Sequence, residues 1–345
     1  MSVLPAFGLN VAECRIHPFG SGLINHTWKI EQGDEAYILQ SINQAVFKRP
    51  GDIAHNLQLL GSYLQQHHPG YRFIAPLATP QGDTLVYTAG SGYYRLFPFV
   101  SGSHSVDVVT TPGQAYEAAR QFGGFTRRLS GFPVEQLHIT IPSFHDLTLR
   151  YQQFLKAVEN GDRERRLQSA DLIRQATLHA DIVTEFSKIR QHSGFRLRVT
   201  HHDTKISNVL FDSAGKGLCV IDLDTVMPGY FISDLGDMMR TYLSPVSEEE
   251  KDVEKIEVRA SFYQAIVEGY LSEMRDELSE AERVHLFYAG KFLIYMQALR
   301  FLTDHLNKDV YYGASYPGHN FYRARNQFAL LQRLVEKESG LVAIK

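Results

Sequence analysis

Cysteine is nearly absent from this chain: 345 residues hold two, Cys14 and Cys219. A disulfide framework would need more of them at this length, so both are expected as buried thiols in a reducing compartment. An excess of charge is missing as well. With 35 basic and 38 acidic residues the formal net charge is -3, which removes any global electrostatic reason to bind nucleic acid or an anionic membrane. Any anion must then be held by a local arrangement. No apolar run approaches the length of a membrane span, and the opening "MSVLPAFGLNVAEC" lacks the basic and sustained apolar regions of a secretory signal. The expected location is the cytoplasm. Internal repeats, low-complexity tracts and long charge runs are also lacking.

What is present is enough apolar residue, 44%, for a fully packed interior, in a 39.2 kDa chain longer than one hydrophobic core serves well. Two lobes are the expectation. From Cys14 to Val100 the chain alternates apolar and polar residues around turns such as "QGDE", with one helical stretch in which Ile53, Leu57, Leu60 and Leu64 recur at helical spacing. This predicts an N-lobe over residues 1–100, a small antiparallel sheet with one helix. After a hinge near Pro98 to Ser105 the pattern changes. Thr111, Pro112 and Gln114 form a capping-box signature, and apolar residues at three- and four-residue steps then dominate residues 101–345. The fold class is α+β, with a mainly helical C-lobe.

Set inside that helical half is a polar unit between two strand-like pieces, "VTHHDTKISNVLFD", followed shortly by "LCVIDLDTVMPG". Asp203 and Asn208 share one loop, and Asp222 ends the strand expected to pair back beside it. One carboxylate can accept a hydroxyl proton, while an amide oxygen and a second carboxylate suit a hard cation that prefers oxygen ligands. An Asp, an Asn five residues on and an Asp closing an apolar strand follow the order of a kinase catalytic loop and its magnesium-binding aspartate. Asp234 and Asp237 in "FISDLGDMMR" are expected as a helix cap and a buried brace for the loop.

"HHDTKISNVLFD" with "VIDLDTVMPGYFISDLGD" resembles the catalytic region of the aminoglycoside phosphotransferase and choline kinase-like superfamily, which has a two-lobed protein kinase-like fold. "YILQSIN", "TIPSFHDL", "IDLDTVMPG" and "LRFLTDHLNKDVYY" are similar to the N-acetylhexosamine 1-kinase group. The resemblance implies an ATP- and Mg2+-dependent kinase that phosphorylates a sugar, with Asp203 as catalytic base and Asn208 and Asp222 as metal ligands. It implies Asp224 and His26 near the acceptor. Gly20, Ser21 and Gly22, in a turn between two strands, become a candidate cradle for phosphate, and Phe97, Phe99 and Val100 in the hinge a candidate seat for the adenine ring. Where a typical kinase has a third-strand lysine this sequence has Gln40, and the next helix offers no glutamate to pair with one. Gln40 therefore implies a different way of holding phosphate.

For the acceptor, Arg300 offers a planar donor fork, with Tyr311 and Tyr312 downstream for stacking on a sugar face. Asp304, one turn after Arg300, is equally placed to be its salt-bridge partner. Other readings stay open: a kinase for choline, homoserine or an aminoglycoside, a nucleotide-binding regulator without catalysis, or a metallohydrolase using "HHD" and "DLD". Zinc favours histidine-rich ligation, whereas this Asp and Asn set suits magnesium. The expected partners are ATP and a small sugar, with no nucleic acid and no membrane.

Overall fold

The computed structural model describes residues 2–20 and 24–343, so the predicted phosphate-turn residues Ser21 and Gly22 lie outside the described residues. Five strands, β1 (Arg15–Pro18), β2 (His26–Gln32), β3 (Glu35–Ser41), β4 (Val86–Thr88) and β5 (Gly92–Pro98), make an antiparallel sheet in the order β1-β2-β3-β5-β4. Successive side chains on a strand face opposite ways. Ile30, Leu39 and Leu96 accordingly share one face and pack with Val3, Leu4 and Leu9 into a small separate core. The other face carries Thr27, Lys29, Gln40, Arg95 and Phe97.

The helix α1 (Pro50–His67) lies between β3 and β4 in sequence, but its buried face joins the large lobe. Ile53, Leu57, Leu60 and Leu64 belong to the same apolar cluster as the C-lobe helices. Asn56 on that helix donates to the carbonyls of His138 (2.8 Å) and Val226 (3.1 Å), which ties it to the chain just before the Met227–Gly229 strand. The chain boundary expected near residue 100 therefore separates sheet from helices, while packing assigns α1 to the second body.

The C-lobe is built from α2 (Pro112–Arg128), α3 (Leu147–Asn160), α4 (Arg163–Gln168), α5 (Ala170–Leu178), α6 (Asp181–Gln191), α7 (Phe231–Tyr242), α8 (Ala260–Met274), α9 (Glu280–Arg283), α10 (Leu286–Leu306), α11 (His319–Glu336) and α12 (Glu338–Val342). The capping box read from Thr111 and Gln114 forms at the start of α2. Short strands interrupt the helices: β6 (Arg198–Thr200) pairs with β9 (Met227–Gly229), and β7 (Val209–Phe211) pairs with β8 (Gly217–Val220). These two ribbons hold the polar unit. Helix α7 supports them from below and lies so close to α10 that a Cβ at Gly236 would sit 2.3 Å from the Ala289 carbonyl oxygen. Only glycine permits that approach.

Cys219 is buried and Cys14 half-buried, both as free thiols on separate elements. Among the described residues no helix is long and apolar enough to cross a membrane.

Candidate active site

The loop between β6 and β7 is polar and buried, so its backbone groups need partners inside the protein. Helix α7 provides them. Asp234, 1% exposed, accepts the His201 amide at 3.0 Å and the His202 amide at 2.7 Å, one on each carboxylate oxygen. Asp237 accepts the Thr204 amide at 2.8 Å and is itself paired with Arg240 at 2.9 Å. Asp234 does not cap α7, whose first residue is preceded by Tyr230 with no side-chain cap. It sits a turn inside the helix and acts as the brace instead.

The histidines are used in the same way. His201 packs edge-on against Phe122, donates from Nε2 to the Ile221 carbonyl (2.9 Å) and accepts the Asp203 amide at Nδ1 (3.3 Å). His202 Nδ1 lies 3.1 Å from the Thr200 and Thr225 carbonyls, and burial pushes its pKa down to about 4. His201, with both ring nitrogens on backbone groups, has none left for a metal. His202 also has a left-handed backbone, φ 67°. That turn is sparsely populated by non-glycine residues and is held by the Asp234 carboxylate.

The turn delivers Asp203 into the cleft. Asn208 Nδ2 donates to the Asp203 carbonyl (2.8 Å) and to Oδ2 (3.2 Å), and Lys205 Nζ approaches the same Oδ2 at 3.3 Å. Among the described residues no hydrogen bond reaches Oδ1 of Asp203, which leaves it for an incoming proton donor. With its NH2 group so engaged, Asn208 keeps its oxygen for another partner. Asp222, just past β8, has φ 58° and accepts no hydrogen bond among the described residues. Enclosure by the cleft walls, then the like charges of Asp224 and Asp203, push its carboxyl up to about 7. Since the residue keeps an exposed surface, cleft water weakens the first cause and leaves the crowding of negative charge as the more telling one.

Oxygen donors crowded beyond the available positive charge fit a hard divalent cation. Magnesium is commonly bound by one or two protein carboxylates together with substrate phosphates, and Asn208 with Asp222 would supply the protein share.

On the sheet side, Gln40 and Arg95 are opposite each other on β3 and β5. Gln40 Oε1 accepts from Arg95 Nε (3.1 Å) and Nη2 (2.8 Å), and Arg95 Nη2 lies 2.5 Å from Asp224 Oδ1. Asn25 Nδ2 donates to the other Asp224 oxygen at 2.7 Å. Asp224, expected near the acceptor, is thus 2% exposed and engaged with two N-lobe residues. His26 is exposed beside the Trp28 ring, on the strand face opposite Thr27 and Gln40, so its neighbour Asn25 reaches the site instead.

Gly20 has φ 78°, a conformation suited to glycine in a tight turn. In the hinge, the Phe99 amide donates to the Ala36 carbonyl at 3.0 Å, and the Val100 carbonyl accepts from the Ser103 hydroxyl at 2.6 Å. Phe97 stacks under the Arg95 guanidinium at 5.0 Å, and Phe99 lies under Lys29 at 4.5 Å.

Arg300 on α10 sits among three rings, 5.5 Å from Phe144, 5.8 Å from Tyr311 and 5.4 Å from Tyr312. Asp304 is not its partner. That carboxylate accepts the amides of Tyr311 (2.7 Å) and Tyr312 (2.9 Å) and so anchors the aromatic loop. Arg150 on α3 stands near enough for burial and then the Arg300 charge to pull its pKa down. Neither Arg150 nor Arg300 forms a salt bridge among the described residues. The Phe144 and His145 rings continue from this cluster to His202, next to Asp203.

A model of the phosphotransferase enzyme family matches residues 15–281. The chain belongs to that family. Among solved structures, the phosphotransferase is similar to a microcompartment-associated aminopropanol kinase at 15% identity and a TM-score of 0.69, covering 100% of this chain and 98% of the other. A spectinomycin phosphotransferase matches at 15% identity and a TM-score of 0.62, covering 97% of each chain. A choline/ethanolamine kinase family protein from Mesorhizobium loti matches at 16% identity and a TM-score of 0.55, covering 96% and 92%. At such identities the likeness is one of fold, the two-lobed protein kinase-like fold. Membership in the family carries the coarse activity, ATP-dependent phosphoryl transfer to a small molecule.

Three residues that the structure gathers at the candidate site carry little or no signal in the sequence. Arg95 could have been noticed as a lone charge inside the apolar strand "YYRLFPF". Asn25 lies one residue before a strand whose period of two decides which side chain faces inward. Arg150 left no local signal, because its meaning comes from packing against a helix 150 residues later.

Proposed function

We propose that this phosphotransferase moves the γ-phosphate of ATP to a sugar, and that the acceptor is the anomeric hydroxyl of an N-acetylhexosamine. The observation that carries the acceptor class is the pair Arg150 and Arg300, two guanidiniums without carboxylate partners among the described residues, lined by Phe144, Tyr311 and Tyr312. Uncompensated positive charge repels cationic acceptors such as choline or aminoglycosides, which supports a neutral acceptor with carbonyl and hydroxyl acceptor oxygens. Arg300 offers its donor fork to an acetamido carbonyl, and the rings offer faces to the apolar side of a sugar.

In this reading Asp203 Oδ1 takes the acceptor proton while Oδ2 is held by Asn208 and Lys205. The acceptor oxygen forms its bond to the γ-phosphorus as the bond to the bridging oxygen breaks, and ADP leaves with that electron pair. Magnesium bound through Asn208 and Asp222 would neutralise charge on the phosphates. An anomeric hydroxyl is more acidic than an ordinary alcohol, so one carboxylate suffices to guide its proton, and no covalent enzyme intermediate is required.

The test is a transfer screen with ATP, magnesium and a panel of sugars, choline and aminoglycosides, read as ADP formed. Turnover confined to N-acetylhexosamines supports the assignment. Faster turnover of choline or an aminoglycoside ends it.

A further inference from the structure

Gln40 carries no charge, yet the sheet face it shares must meet the most highly charged part of the donor if the kinase reading, on which this inference rests, is correct. The nearest cation on that face is directly across the strand pair. We infer that Arg95 is the residue that binds the donor phosphates, held in position by Gln40 and resting on Asp224 until the nucleotide arrives.

Three observations lead there. First, Arg95 is 2% exposed in a part of the protein where a charged side chain requires a reason. Its Nη1 is buried with no hydrogen-bond partner among the described residues, although an orphaned buried donor is costly. A phosphate oxygen would complete the fork. Second, the fork is aimed. Gln40 Nε2 donates to Thr27 Oγ1 (3.3 Å), and this turns the amide oxygen toward Arg95 Nε and Nη2. The Phe97 ring closes the other side. Third, the guanidinium reaches from the nucleotide face of the sheet to Asp224, two residues from the metal-ligand candidate Asp222, which is where the phosphates and the ion must meet. A planar guanidinium also matches two phosphate oxygens at once.

The simpler alternative is that Arg95, Asp224 and Asn25 form only a clamp between the lobes. Affinity for nucleotides of different phosphate content separates the two. With the full chain, titration calorimetry would compare a non-hydrolysable ATP analogue with adenosine, with and without magnesium. For Arg95→Gln the expected result is a loss of analogue affinity on the order of thirty- to a hundred-fold with adenosine affinity within about two-fold, as two charge-assisted bonds are removed. The exchange Gln40→Lys with Arg95→Gln moves the cation to the opposite strand and should restore most of that affinity. If Arg95→Gln does not fold, Gln40→Met is read instead. It keeps the ion pair but not the aiming carbonyl, so analogue affinity should fall several-fold and adenosine affinity should stay.

Equal losses for both ligands, or no loss for either, overturn the assignment while leaving the kinase reading in place. A wild-type protein that binds neither ligand overturns both.

Discussion

Replacing Asp234 by alanine removes the brace under the catalytic loop and provides a prediction with an unusual pH signature. The variant leaves the His201 and His202 amides without acceptors inside the protein, at about 1–3 kcal/mol each, or about 2–6 kcal/mol together. An opposing effect comes from the carboxyl itself. Burial pushes its pKa up from 3.8 to about 6, so its ionisation in the folded state carries a penalty that alanine relieves. Because the folded pKa is the higher one, the contribution of Asp234 to stability is fullest below pH ~4 and is lost as pH rises through about 6. At pH 7 the penalty is about 3 kcal/mol, and at pH 5 about 2 kcal/mol. The deficit of Asp234→Ala relative to wild type should therefore be about 1 kcal/mol larger at pH 5 than at pH 7, as read by urea unfolding at both pH values. Turnover should fall at both, since the left-handed turn at His202 that presents Asp203 is released. A deficit that is flat or that grows with pH, or near-native turnover, refutes the brace and its energetics together.

Asp222→Ala and Asn208→Ala should each raise the magnesium concentration needed for half-maximal turnover or abolish turnover, measured as ADP release across a magnesium series. Native magnesium dependence in both variants would remove them from the metal site. His202 titrates with the opposite sense to Asp234. Its folded pKa of about 4 lies below the usual 6.5, so the stability it lends is lost as pH falls through that window, by about 2 kcal/mol between pH 7 and pH 5. The lead of wild type over His202→Gln in urea should shrink by that amount, and an unchanged lead contradicts a buried neutral ring. Arg300→Met should raise the acceptor KM on the order of ten-fold or more while leaving the ATP KM within about two-fold, as expected when one charged hydrogen bond to the acceptor is lost. A matched change in both would assign Arg300 to scaffolding.

The parts of the site legible in the sequence are those that one continuous stretch of chain brings together. Asp203, Asn208 and Asp222 belong to two adjacent ribbons whose strand pairing follows from the apolar pattern, and the structure puts Asn208 on Asp203, with Asp234 and Asp237 of α7 holding the loop in place. The two-lobed α+β architecture was legible for the same reason, since alternation in the first hundred residues and helical spacing afterwards require no long-range information. The assignment of α1 was not, because its apolar stripe shows that it packs but not which lobe receives it. Nor was the phosphate-side chemistry. Gln40 by itself reads as a loss of charge, and only strand register places Arg95 opposite it, while the two oxygens of Asp224 are occupied by Arg95 and Asn25. Asp304 stood one turn from Arg300, yet the backbone of the loop at Tyr311 claimed its carboxylate first. Where several partners compete for one group, sequence spacing names the candidates and packing chooses among them.

The most direct test of the account is phosphorus NMR of the reaction with ATP, magnesium and an N-acetylhexosamine, run with wild type and with Asp203→Asn. Wild type is expected to produce a phosphate coupled to the anomeric proton. The Asp203→Asn protein, folded and still binding ATP, should make the same product roughly a hundred- to ten-thousand-fold more slowly, the range expected for loss of a general base. Coupling to the C6 protons, absence of a sugar phosphate, or an Asp203→Asn rate close to wild type would contradict it.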